Sequence, residues 1–246
     1  MLGGGTDSAV SDRLTEVIRV VDPSDDSKNT IATRLVDRLR EAILSGDLKP
    51  GQKINLDAVR RSLDVSLSPL REALARLTAT GLVALHDNRG YSVTPLSLNN
   101  LAEITRLRVE CEGMALGAAI RAGDSAWEGE VMRALHRLNR TVRDPADLPS
   151  LAAWETAHRD FHRTLIAGCH LPLLLDFCGT LHNLNDRYRR ILLVAGGGDR
   201  NVAMEHGEIA QGAVARDEAY AVSKLREHIS RTGARLLDHL KRTMTP

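Results

Sequence analysis

The sequence predicts a mainly α protein: an N-terminal winged helix-turn-helix followed by an antiparallel all-α helical bundle. Three observations carry that expectation. The stretch Ile54 to Gly90 reads as helix, tight turn, helix and a small β-wing. Beyond Leu98 the pattern is helical to the end, with no β-like run between the helices. A chain of 246 residues with 43% hydrophobic content is long for one domain and rich enough for two cores.

Residues 1–26 hold GGGTDS and DPSDDS around a short apolar piece, and are expected to form a mobile N-terminal tail. A first helix follows from Thr30 to Ser45, with Ile31, Leu35, Leu39, Ala42 and Ile43 on one side and Gly46 at its end. Lys49-Pro50-Gly51 is a turn. Arg34, Arg38 and Arg40 fit phosphate contacts and solvated helix charges equally well.

The next helix holds Leu56, Val59 and Leu63 as an apolar stripe, and Asp64-Val65 makes the turn. Ser66 to Pro69 is a start signal, because serine accepts from orphan N–H groups and proline is tolerated in a first turn. Leu70, Leu74 and Leu77 then face a core, while Ser68, Arg71, Ala75 and Thr78 fall on another face. Gly81 stops this helix. LVALH and GYSVT are β-like runs joined by Asp87-Asn88-Arg89-Gly90, a hairpin tip.

The run VSLSPLREALARLTATGLV, with its wing tip NRG, resembles the DNA-binding domain of GntR-family bacterial transcription regulators. Ser66, Pro69, Arg71, Glu72, Ala73, Leu74 and Gly81 match the family pattern. The resemblance implies double-stranded DNA as partner, with Ser66, Ser68, Arg71, Arg89 and Gly90 at the interface. Leu67 stands where the family commonly has a DNA-contacting arginine. A bidentate guanine contact is not available from leucine, which meets at best a thymine methyl.

Charge agrees with that reading in its distribution rather than its sum. The whole chain carries +1, but from Ser27 to Pro95 there are 11 Lys/Arg against 7 Asp/Glu, a balance of +4. Positive charge is thus concentrated where phosphate must be attracted. No apolar run reaches membrane-spanning length, and the N-terminus lacks a basic-then-apolar signal, so a cytoplasmic protein with no membrane partner is expected. Cys111, Cys169 and Cys178 form no CxxC pair and read as reduced thiols.

After the junction PLSLNN, helices are expected near 98–121, 125–143, 150–168, 171–194, 201–215 and 217–242. The breaks are Gly123, Asp144-Pro145, Pro149, His170 to Pro172, Gly196-Gly197-Gly198 and Arg216-Asp217. The three glycines lack the Gly-Lys-Ser/Thr ending of a phosphate loop and read as a flexible connection.

Four histidines carry the chemistry of this half. His158 and His162 are four apart, so they rise about 40° apart on one helix face bordering Phe161, Leu165 and Ile166. His206 and His228 lie in the last two helices. Converging, the four imidazoles would suit Zn²⁺ or Ni²⁺; separately, they are solvated or satisfied histidines. His136, His170, His182 and His239 show that histidine is not rare in this chain.

The segment AHRDFHRTLIAGCHLPLL resembles the Phe-His helix of the FCD ligand-binding domain in the FadR-type branch of GntR regulators. Phe161-His162 matches, as do Glu205-His206 with Ile209, and Asp217, Ala221 and His228. The family's aspartate position holds His158, which removes one negative charge and favours a nitrogen-preferring metal, Zn or Ni, over manganese. The resemblance implies a metal ion in a pocket that takes a small carboxylate effector. It also points to Arg106, paired with Glu110, as a second effector contact, although an exposed helix ion pair accounts for those residues as well. Arg187 and Tyr188 are further effector candidates.

Together these expectations describe a tail (1–26), a winged helix-turn-helix DNA-binding domain (27–95) and a helical effector-binding and dimerisation domain (96–246). The expected protein is a homodimeric, ligand-responsive regulator, with repression relieved by effector as the usual sign, on a palindromic operator. Alternatives are a regulator for which the ion itself is the signal, a purely structural metal, and a histidine-ligated metalloenzyme. The last lacks a general-base motif such as HExxH, and no catalytic residue is assigned.

Overall fold

The computed structural model describes residues 30–144, 146–193 and 201–244. The expected tail over 1–26, Pro145 and the Gly196-Gly197-Gly198 connection lie outside the described residues. Among the described residues there are nine helices and one three-stranded sheet. The chain divides into two compact units, one ending at Ser97 and the other beginning at Leu98.

In the first unit α1 spans Ile31–Ser45, with the Thr30 hydroxyl accepting from Thr33 N–H at 3.3 Å. α2 (Leu56–Leu63) is capped by Asn55, whose side chain accepts from Asp57 N–H and Ala58 N–H. Asp64 takes a left-handed conformation (φ 49°) and turns the chain into α3 (Leu67–Ala79). Ser66 occupies the cap position of α3, but its side chain makes no capping hydrogen bond, contrary to the expected role.

α3 ends as its glycine requires. Gly81 sits at φ 72°, its N–H donates to Thr78 C=O, and Leu82 N–H reaches back to Leu77 C=O at 3.0 Å. That pair of bonds closes the last turn only with a left-handed residue between them. Leu70, Ala73, Leu74 and Leu77 pack into a core with Leu39, Ala42 and Ile43 of α1, all fully buried. Truncating any of these leucines to alanine is worth about 2–5 kcal/mol.

The wing has one strand more than the sequence suggests. β2 (Val83–His86) and β3 (Gly90–Val93) form the expected hairpin, and β1 (Lys53–Ile54) adds to β3, giving the antiparallel order β1-β3-β2. Two residues are too few to show an alternating pattern, so β1 reads as part of a loop in the sequence.

The second unit is a six-helix bundle: α4 (Leu98–Ala122), α5 (Ser125–Arg140), α6 (Leu148–Ala167), α7 (Pro172–Leu193), α8 (Val202–Val214) and α9 (Glu218–Met244). Pro149 does not break the chain as expected. It lies in the first turn of α6, where a missing N–H costs nothing, and Asp147 caps that turn by accepting from Ser150 N–H. α4 packs against α6, α7, α8 and most extensively α9. A β-carbon at Gly233 of α9 would stand 2.3 Å from Thr105 Cγ2, so glycine is what lets α9 lie this close to α4.

Phe161, Leu165, Leu116, Ile209, Leu225 and Ile229 belong to one apolar core, which surrounds the histidines described below. Cys169 and Cys178 are buried free thiols, with burial pushing Cys178 up to about 12, and Cys111 is half-buried. No helix among the described residues is long and apolar enough to cross a membrane.

Candidate metal centre and DNA-reading face

α6 presents His158 and His162 one turn apart, α8 presents His206 and α9 presents His228. All four are buried, and one ring nitrogen from each lies within 4.8 Å of the others. Ring centroids are 4.6 Å apart for His158 and His162, 4.7 Å for His206 and His228, and 5.2 Å for His162 and His228. Trp154, one turn before His158, stacks on it at 4.9 Å.

Burial first, then neighbouring positive charge, holds His158 and His162 well below the ordinary imidazole value; for His158 the charge is Arg189, for His162 chiefly His228 and His206. Both rings are therefore neutral near pH 7, the form that coordinates a metal. His162 has both ring nitrogens buried with no hydrogen-bond partner among the described residues. Its Nδ1 stands 4.0 Å from Glu112 Oε2, beyond hydrogen-bond reach. An unpaired buried polar group costs about 1–3 kcal/mol, a cost that coordination removes. The donor set fits: four imidazole nitrogens suit zinc, copper or nickel.

Carboxylates stand behind the histidines. His228 Nδ1 lies 2.8 Å from Glu205 Oε2, and Arg231 donates to the other Glu205 oxygen at 3.3 Å. Beside His162, Arg108 Nε donates to Glu112 Oε1 at 2.6 Å, and His182 Nε2 lies 3.1 Å from Glu112 Oε2. Burial alone would raise the Glu112 carboxyl, but Arg108 and His182 outweigh it and hold it down at about 2. Glu112, His162 and His182 form a second set of donor atoms within 4.8 Å, sharing His162 with the first. Deeper in α7, Asp186 accepts from Arg159 at 2.9 Å and from Arg189 at 3.1 Å, and Arg189 also pairs with Glu155.

The effector candidates are distributed differently from the sequence expectation. Arg106 is exposed, and Glu110 pairs with Arg226 of α9 at 3.2 Å. The Arg-x-x-x-Glu pair that faces the histidines is Arg108 and Glu112, two positions on and so about 160° around the helix. Arg187 and Tyr188 are fully buried, yet lie about 140° and 120° around α7 from His182. Tyr188 spends its hydroxyl on Asn100 Oδ1, at 2.9 Å. His182, set aside in the sequence, is buried at the cluster's edge, whereas His136 and His170 are exposed. A groove of about 840 Å³ between α4 and α9, lined by Met114, Val222 and Arg226, borders none of the four histidines.

In the first unit Ser66, Ser68 and Arg71 lie together, exposed, at the start of α3, and Leu67 is 38% exposed among them. The uncapped first turn of α3 keeps N–H groups available for a phosphate. Arg89 is exposed at the wing turn, and Gly90 opens β3 at φ 79°. Arg76, by contrast, is engaged by Glu72 at 2.6 Å and by Thr33.

Comparison with known proteins places both units. Residues 31–93 match the model of the bacterial regulatory proteins of the gntR family, and residues 103–231 match the FCD domain. The chain is 37% identical over 198 residues to BphR of Paraburkholderia xenovorans (strain LB400), an uncharacterized HTH-type transcriptional regulator; the match covers 78% of this chain and 79% of that one. It is 30% identical over 200 residues to the HTH-type transcriptional repressor GlaR of Escherichia coli (strain K12), covering 78% and 89%. Among solved structures, E. coli McbR/YncC superposes with a TM-score of 0.72 at 20% identity, covering 87% of this chain and all of that one. These relatives are regulators and not enzymes, and the chain belongs with them: it is a DNA-binding transcription regulator of the GntR family, in the branch that carries an FCD domain.

Proposed function

We propose that this regulator is a cytoplasmic homodimeric repressor whose helical unit binds a divalent metal through His158, His162, His206 and His228 and responds to a small carboxylate. The observation that carries the metal is the buried four-histidine cluster, with both His162 nitrogens unsatisfied. The similarity to GlaR, a transcriptional repressor, supports the sign of regulation. DNA would be met by Ser66, Ser68, Arg71, Arg89 and the Gly90 backbone, two copies reading a palindromic operator. The metal would supply positive charge for an organic acid, with Arg187 and Tyr188 shaping the interior from α7. The exposure of Arg106 leaves it outside this proposal.

The donor count favours a second reading under one condition. Four protein nitrogens complete a tetrahedral zinc site, leaving no position for a carboxylate to bind the ion. Zinc would then be structural or itself the signal. Nickel prefers more ligands, and would keep positions open to water or effector. Operator selected in vitro from random duplexes, titrated with metal-free, zinc-loaded and nickel-loaded protein, separates the two. A carboxylate-dependent loss of DNA affinity in a metal-loaded form supports effector control. A change with metal alone supports sensing, and no change with either refutes effector control and sensing and leaves the metal a structural role.

A further inference from the structure

Resting on the metal reading above, we infer that Glu112 is the positioning carboxylate for His162, and that through it metal occupancy is tied to α4. A metal-bound imidazole needs its other nitrogen held by an acceptor, which fixes the tautomer and the ring's orientation. His228 already has such a partner in Glu205, at 2.8 Å from Nδ1. His162 has none, and the carboxylate oxygen that faces it, Glu112 Oε2, stands 4.0 Å from its Nδ1. A metal drawn to Nε2 leaves the proton on Nδ1, pointed at Glu112, and a closure of about 1 Å completes the hydrogen bond.

Glu112 is built to receive it. The carboxylate is 1% exposed, its Oε1 is held by Arg108 at 2.6 Å, and its Oε2 has His182 Nε2 at 3.1 Å. Arg108 Nη2 also donates to Oε2, at 3.4 Å, and a carboxylate has about four acceptor positions, so a further donor from His162 fits.

Arg108 and Glu112 both belong to α4, the helix that begins at Leu98 directly after the DNA-binding unit ends at Ser97. Closing His162 onto Glu112 therefore pulls on α4 from α6, and His182 adds α7 to the same link. Arg108, Glu112 and His182 thus act through His162 and not on the metal.

Zinc affinity by chelator competition and Co²⁺ absorption spectra test this in wild type, Glu112→Gln and His182→Gln. Glu112→Gln is expected to weaken zinc about 10–100-fold and shift the Co²⁺ bands, with circular dichroism unchanged. His182→Gln, which leaves Arg108 on the carboxylate, should weaken zinc less. Equal affinity and spectra in wild type and Glu112→Gln overturn the role of Glu112 and leave the four-histidine centre standing. No metal uptake by wild type overturns both. Because Glu112→Gln leaves Arg108 without its anion, zinc-loaded wild type gives an independent check by ¹H–¹⁵N spectroscopy. A hydrogen-bonded His162 Nδ1–H is expected; zinc on Nδ1 itself refutes the inference.

Discussion

Glu205 of α8 and His228 of α9 meet through a 2.8 Å contact between Oε2 and Nδ1, both side chains buried. With Nδ1 turned to the carboxylate, Nε2 is the nitrogen that faces a metal. Glu205→Gln is expected to lower zinc affinity about tenfold or more while leaving the bundle folded. Chelator competition measures this, and an unchanged affinity would show that the contact serves packing alone.

At the start of α3, Arg71 is exposed beside Ser68 and Ser66. Arg71→Ala should weaken operator binding, and the salt dependence tells how. A phosphate contact loses affinity uniformly across sequences and lowers the salt slope by about 1. A base contact costs about 1–3 kcal/mol and relaxes one position. Fluorescence anisotropy with in vitro selected operator resolves the two; full retention of affinity removes Arg71 from the interface.

Leu67 sits on the same face at 38% exposure, where the family pattern commonly has arginine. Leu67→Arg is expected to tighten binding to duplex DNA and shift the selected operator toward guanine, since arginine reads guanine O6 and N7. An unaltered selected sequence would place this residue outside the groove.

The histidine cluster was legible because the four residues carry both spacing and family pattern. Glu112 and His182 beside it were missed for different reasons. TRLRVECEG contains two overlapping Arg-x-x-x-Glu frames, and only packing decides which one turns inward. The signal that separates them is the apolar stripe Leu101, Ile104, Ala115 and Ala119, all buried, on which Arg108 and Glu112 lie and Arg106 does not. His182 has no such marker. Its neighbours on the buried side of α7 include Asn185, Asp186 and Arg189, so polarity hides an interior face. In the first unit the helices and hairpin follow from periodicity and turn residues, whereas β1 is too short to have a period.

The close approach of α9 to α4 makes a stability prediction. Gly233→Ala places a methyl 2.3 Å from Thr105 Cγ2 and forces the helices apart. A loss of about 1–3 kcal/mol is expected from overpacking, read by denaturant unfolding. Thr105→Ala in the same chain should restore part of it. Wild-type stability in Gly233→Ala would contradict the packing described.

Asp186 gives stability a pH dependence. Burial would raise its carboxyl, but Arg189 and Arg159 hold it down at about 2. Its contribution is thus complete above the unfolded value near 4 and is lost as pH falls through about 2, on the order of 2 kcal/mol in all. The difference in unfolding free energy between wild type and Asp186→Asn should be at least that large at pH 7 and shrink below pH 4. A difference independent of pH would refute the assignment.

Metal content is the plainest readout of an ion held by His158, His162, His206 and His228. Mass spectrometry of protein purified without chelator is expected to find about one Zn²⁺ or Ni²⁺ per wild-type chain and none in His162→Ala. Wild-type protein that carries no metal, and takes up none when it is added, would contradict the account.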